Sequence, residues 1–256
     1  MNDFSRLRIL VSNDDGITAP GLKVLERVAR ALSKDVWVVA PEQEQSGAGH
    51  SLTLRRPLRL RQVSRRRFAV DGTPTDCVLL AVNELLRKRP PHLVLSGVNR
   101  GANMGEDVTY SGTVAAAMEG TLLGLPAIAL SLQTTWTHPP HWSTVEAHAP
   151  ALIQRLCTAG WPQGVLMNLN FPDVTAAQVK GVQVTEQGYR KIGSHVHKGD
   201  DPYGRPYYWI GAVRSEEAPK PGTDLHAVHG GYISVSPIHL EMTHRATLSR
   251  LEAAFR

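Results

Sequence analysis

The chain has 256 residues, 42% of them hydrophobic and 20% charged, with a formal net charge of +5. That length and apolar content support a sizeable buried core and exclude a disordered or fibrous chain. The positive balance is local, because residues 55 to 67, RRPLRLRQVSRRR, hold seven arginines and no acid, and the remainder carries 21 basic against 23 acidic residues.

In chain order, a strand is expected over 8 to 12 and a helix over 21 to 33, where Leu22, Leu25, Val28, Ala29 and Leu32 share one face. The start, MNDFSRLRILV, mixes charges with apolar residues and offers no signal-peptide pattern. A strand over 35 to 40 is followed by a two-stranded excursion between 52 and 71. There Leu58 and Leu60 alternate with Arg59 and Arg61, which reads as a strand with arginines on its wet face. Polyanion or RNA binding by Arg55 to Arg67 is the alternative reading of that segment.

A helix over 75 to 88 has Thr75 or Asp76 as its cap and Pro90 beyond its end. Strand 93 to 96, a loop to 110, helix 112 to 123, strand 127 to 132, helix 143 to 159 and strand 165 to 171 complete an α/β pattern. It implies a mostly parallel sheet wrapped by helices. The apolar run from Thr113 to Leu132 carries Glu119 and is broken by Gly124 and Pro126, so it reads as helix then strand and not as a membrane span. Cys77 and Cys157 have neither a C-x-x-C partner nor His at ligand spacing, and fit reduced core residues of a cytoplasmic protein.

From about 179 the segments VQVTEQGYR, RPYYWIGAV and GYISVSPIHL are strand-like and joined by Gly- and Pro-rich turns. The expected division is a core over 1 to 178 and a β-hairpin-rich arm over 179 to 256, closed by a short helix over 243 to 254. His195 with His197, and His226 with His229, have no obvious acidic or Cys partner and read as surface or packing residues. TWTHPPHW, 135 to 142, reads as a loop at the mouth of the site whose aromatics could touch a base.

Ligands of open α/β sheets bind beyond the carboxyl ends of the strands. Three such ends deliver oxygen-bearing side chains: Asp14 and Asp15 in VSNDDG, Ser46 in VAPEQEQSG, and Asn99 with Asn103 in LSGVNRGANMGED. Asp14 and Asp15 converge only if the backbone turns, which Gly16 permits. Two neighbouring carboxylates repel unless a cation lies between them. Carboxylate, amide and hydroxyl are hard ligands suited to Mg²⁺ or Mn²⁺. Ser111, Gly112 and Thr113 open the helical run VAAAMEG and place hydroxyls and free N–H groups where phosphate is favoured. A dinucleotide-binding G-x-G-x-x-G after the first strand is absent, and the acids are adjacent, not one residue apart as in phosphatases that form an aspartyl-phosphate.

The segments RILVSNDDGITAPG, VVAPEQEQSGAGHSLTL, VDGTPTDCV, LVLSGVNRGANMGEDVTYSGTVAAAMEG, NLNFP, YYWIG and GTDLHAVHGGYISVSP closely resemble the SurE family of survival-protein nucleotidases across nearly the whole chain. No site position departs from the family pattern. The visible differences are about five extra N-terminal residues and the loop QTTWTHPPHW. The resemblance implies a Rossmann-like core and a metal-dependent phosphatase of nucleoside 5′-monophosphates, with 3′-nucleotides and short polyphosphate as further substrates in some members. It also implies one Mg²⁺ or Mn²⁺ per subunit on Asp14, Asp15, Ser46 and Asn99, and phosphate held by Asn103, Ser111, Gly112 and Thr113. Asp14 or Asp15 would take a proton from water or attack directly. The arm would be exchanged in a homodimer that can pair into a tetramer, with no membrane and no obligatory nucleic acid as partner.

Overall fold

The protein is described from a computed structural model over residues 3–135, 137–190, 196–210 and 218–256. Its strands are β1 (Arg8–Ser12), β2 (Asp35–Pro41), β3 (Leu60–Ser64), β4 (Arg67–Val70), β5 (Leu93–Arg100), β6 (Ala127–Leu132), β7 (Val165–Phe171), β8 (Val182–Val184), β9 (Val196–Asp200), β10 (Pro206–Ile210) and β11 (Ile233–His239). The helices are α1 (Pro20–Leu32), α2 (Pro74–Leu80), α3 (Gly112–Leu122), α4 (Trp142–Ala159), α5 (Asp224–His229) and α6 (Arg245–Ala254).

Nine strands form one sheet in the order β3-β4-β2-β1-β5-β6-β7-β11-β8. The run from β4 to β7 is parallel throughout. Its strands are buried on both faces, so each strand reads as a continuous apolar stretch. Ile9 and Val11 turn into the layer made by α1 and α4, while Leu10 turns into the layer made by α2 and α3. That is the period of two expected of a strand covered on each side. The strand order reverses beside β1, which has β2 on one side and β5 on the other, so the crevice beyond these three strand ends is the natural ligand position.

The expected parallel sheet and most of its elements are present. Helix 75 to 88 is shorter than expected, since α2 gives way to a wider turn at Ala81–Leu85. α5 was not anticipated, and its six residues are too few to develop a helical period. The division at 178/179 is not a division of the sheet: β11 pairs antiparallel with β7, and β8 pairs parallel with β11. Among the described residues of the expected arm only β9 and β10 form a separate antiparallel pair, and Tyr207, Tyr208, Trp209 and Ile210 on it are exposed. β3 is exposed along its whole length, so Leu60 does not face the core as the alternation suggested, although Leu58 packs against it. Cys77 and Cys157 are free and buried. Among the described residues, no helix is long and apolar enough to cross a membrane.

Arg190 ties the segment after β8 to the loop after β5. Its fully buried guanidinium donates through Nε to Asp107 Oδ2 at 2.9 Å and through Nη2 to the Ala102 carbonyl at 3.2 Å. Removing one partner of a buried ion pair leaves a desolvated charge behind. Arg190→Met should therefore lower the unfolding free energy by about 3–5 kcal/mol, measured by guanidinium denaturation with the slope unchanged.

Candidate active site

β1 ends at Ser12, and Asn13, Asp14, Asp15 and Gly16 follow it directly. The Asn13 side chain donates to the Gly16 carbonyl at 3.1 Å, which closes the turn, and Gly16 takes φ of +97°. The chain bends at Asp14 and Asp15, and the turn delivers both carboxylates to the crevice. The Gln45 N–H donates to the Asp14 carbonyl at 2.8 Å, which draws the loop after β2 over the turn. That loop carries Ser46, whose hydroxyl donates to Glu44 Oε1 at 2.8 Å and keeps its lone pairs for a cation.

β5 supplies the third wall. Its register against β6 shifts between Gly97 and Asn99, the local irregularity that re-aims side chains at the end of a strand. Asn99 Nδ2 donates to the Gly101 carbonyl at 2.9 Å, which orients the amide with Oδ1 as its remaining ligand atom. The loop beyond is fixed through Asn103, whose N–H donates to Asn170 Oδ1 at 2.8 Å. The Asn103 carbonyl accepts from the side chains of Asn168 at 2.9 Å and Asn170 at 3.1 Å.

α3 supplies the fourth. Ser111 caps it by accepting from the Val114 N–H at 3.1 Å. The Thr113 hydroxyl donates to Asp14 Oδ1. Gly112 lies flat on Asp14, where an added Cβ would stand 2.7 Å from Asp14 Cβ and 2.9 Å from Oδ2. Any side chain at position 112 would displace that carboxylate, so the glycine is there for close approach.

One cavity of about 900 Å³ takes in Asp14, Asp15, Ser46, Asn99, Asn103 and Ser111. Two of the expected phosphate donors are placed differently. Thr113 is fully buried behind Asp14 and spends its hydroxyl on that carboxylate, and the Asn103 side-chain N–H donates to Ser131 Oγ at 2.8 Å. Glu44, Arg100 and His229 also line the cavity and were not foreseen. Glu44 and Arg100 stand one or two residues from Ser46 and Asn99 inside the same motifs, which was the available signal. His229 ends the unanticipated α5; it and His226 are exposed, as is His197, while His195 lies outside the described residues.

Electrostatically the cavity calls for a cation. Burial pushes the Asp14 carboxyl above its ordinary value, against the pull of the Thr113 hydrogen bond. Burial, then the charges of Asp14 and Glu44, push Asp15 up to about 7, with Arg100 partly offsetting them. Two acids held side by side out of water, next to a serine hydroxyl and an oriented amide oxygen, are an all-oxygen donor set that fits a hard divalent ion.

A model of the family described as survival protein SurE matches residues 9–194. The chain belongs to the SurE family. It is 64% identical over 253 residues to a 5′-nucleotidase SurE of Paramagnetospirillum magneticum, covering 99% of this chain and 97% of that protein. A 5′-nucleotidase SurE of Caulobacter vibrioides is 54% identical, covering 96% and 95% of the two chains. The crystal structure of the SurE protein from Aquifex aeolicus superposes with a TM-score of 0.86 at 39% identity, over 97% of this chain and all of that one.

The raised Asp15 pKa has a consequence for stability. The unfolded chain sheds this proton near pH 4, whereas the folded chain keeps it to about pH 7. In metal-free protein this contribution is greatest below pH 4 and is lost as the pH rises to 7. Asp15→Asn removes the loss, so in excess EDTA at pH 8 the variant should melt above the parent, by no more than about 4 kcal/mol. At pH 4 the gap in scanning calorimetry should narrow.

Proposed function

We propose that this chain is a metal-dependent phosphatase that hydrolyses nucleoside 5′-monophosphates to nucleoside and inorganic phosphate. The observation that carries the reading is the adjacent pair of buried Asp14 and half-buried Asp15, facing Ser46, Asn99 and the start of α3 across one cavity. The identity to relatives named 5′-nucleotidase SurE supports the same substrate class.

Asp14, Asp15, Ser46 and Asn99 would hold one Mg²⁺ or Mn²⁺. When bound, such an ion polarises a phosphoryl oxygen and eases deprotonation of water. Thr113 and Gly112 set the position of Asp14 from behind, which leaves Asp15, the more accessible acid, to accept the proton of the attacking water. Ser111 and the first N–H groups of α3 face the charge that grows on the equatorial phosphoryl oxygens. Arg100, at the edge of the cavity, adds positive charge on the same side.

Polyanion binding by the arginine segment has less support. Arg56 pairs with Asp71 at 3.2 Å, Arg61 with Glu42 at 2.8 Å and Arg66 with Asp35 at 3.2 Å, and Arg67 pairs with Glu26. Those four cations are spent inside the protein.

Phosphate release from a panel of 5′- and 3′-mononucleotides and short polyphosphate, with Mn²⁺, Mg²⁺ or EDTA, tests the reading. Activity should require the metal and should fall on the order of a hundredfold or more in Asp15→Asn. Activity that persists in EDTA would overturn it.

The exposed Tyr207, Tyr208, Trp209 and Ile210 support a homodimer in which the β9–β10 hairpin packs on the other copy. Replacing Trp209 and Ile210 with Ser should shift sedimentation at micromolar concentration toward the monomer.

A further inference from the structure

The loop between β6 and α4 carries two histidines separated by Pro139 and Pro140. Both histidines turn toward one carboxylate. His141 Nδ1 stands 3.1 Å from Asp173 Oδ1, and His138 Nε2 stands 3.5 Å from Asp173 Oδ2. The two imidazole rings are 4.7 Å apart between centroids. His141 immediately precedes α4, yet its side chain makes no capping bond to that helix and is committed to Asp173.

Asp173 lies just beyond β7, with its carboxylate only 6% exposed. Its Oδ2 also accepts from the Thr135 N–H at 2.8 Å, so the carboxylate is held by backbone as well as by the histidines. One ligand atom from each of the three residues lies within 4.8 Å of the other two, and among the described residues this is the one trio of His, Cys, Asp or Glu that converges so.

We propose that His138, His141 and Asp173 form a second divalent-metal site, for a borderline transition ion such as Zn²⁺, distinct from the all-oxygen site of Asp14 and Asp15. A carboxylate and two imidazoles match that ion, whereas Mg²⁺ and Mn²⁺ favour oxygen. Metal–ligand bonds of about 2.0–2.2 Å at tetrahedral angles separate ligand atoms by about 3.3–3.6 Å. The two histidines approach different oxygens of Asp173, and the three ligand atoms, all within 4.8 Å of one another, would close on one ion by side-chain rotation. A clasp between loop and strand needs only one of the imidazoles, while both together supply the N,N,O set. The Thr135 N–H on the ligating carboxylate is the outer support that such sites use.

Three protein ligands leave a coordination position for water or an incoming group. His138 also lines a cavity of about 560 Å³ whose wall includes Asp15 and Arg100, so the second site borders the catalytic cleft.

Full-length protein saturated with Mg²⁺ is titrated with ZnCl₂ by calorimetry and equilibrium dialysis, in parent, His138→Ala, His141→Ala and Asp15→Asn. One Zn²⁺ per chain is expected beyond the Mg²⁺, with affinity reduced at least tenfold in each histidine variant and unchanged in Asp15→Asn. His138 is exposed, so His138→Ala removes a ligand without opening the core. Zinc uptake that is absent, or that is insensitive to His138→Ala, overturns the proposal. Uptake lost in Asp15→Asn and kept in His138→Ala also overturns it, because the ion then occupies the oxygen site. Metal-dependent phosphate release from the same samples reports separately on the proposed catalytic function.

Discussion

Everything at the centre of this molecule follows from keeping two adjacent carboxylates together, one buried and one half-buried, at the wall of one cleft. Desolvation opposes their charge, and each raises the cost of ionising the other. The fold answers with the ends of β1, β2 and β5, the start of α3, one hydroxyl donated to Asp14, and a glycine where any side chain would push that acid out of place. The switch in strand order beside β1 makes room for these parts to meet. A bound cation would offset that repulsion.

The parallel sheet and the cluster of Asp14, Asp15, Ser46 and Asn99 were legible because they rest on local signals. Apolar runs of strand length alternate with amphipathic helices, and oxygen-bearing residues follow the strands directly. What escaped the sequence depends on distant pairing. Nothing near Ile233 says that β11 will run antiparallel beside β7, so the arm looked larger than the single hairpin of β9 and β10. Thr113 stands in a sequence context that suits a phosphate donor, and only the packing of α3 on the turn after β1 shows its hydroxyl facing Asp14. Likewise, Asp173 is more than thirty residues from His138, and no spacing rule links them.

The basic segment shows how a composition signal can mislead. A run of seven arginines suggests a surface field, but Glu26, Asp35, Glu42 and Asp71 pair with four of them and come together only when β2, β3, β4 and α1 are assembled. Such partly exposed pairs add little stability each. Their larger effect is to lower the net potential of that face. The positive groups nearest a phosphate ester in the cleft are then Arg100 and the start of α3, set against the charges of Asp14, Asp15 and Glu44.

The two sides of the cleft differ in how firmly they are held. On one side Asn103 is fastened through both its N–H and its carbonyl to the side chains of Asn168 and Asn170 on β7, so the backbone there cannot shift without breaking three buried hydrogen bonds. On the other, Thr135, His138 and His141 are held by the Asp173 carboxylate. A change of loop length on the second side would break fewer buried hydrogen bonds than one on the first. Reshaping the cleft by substitution therefore meets less resistance in the histidine-bearing loop than in the asparagine-anchored wall.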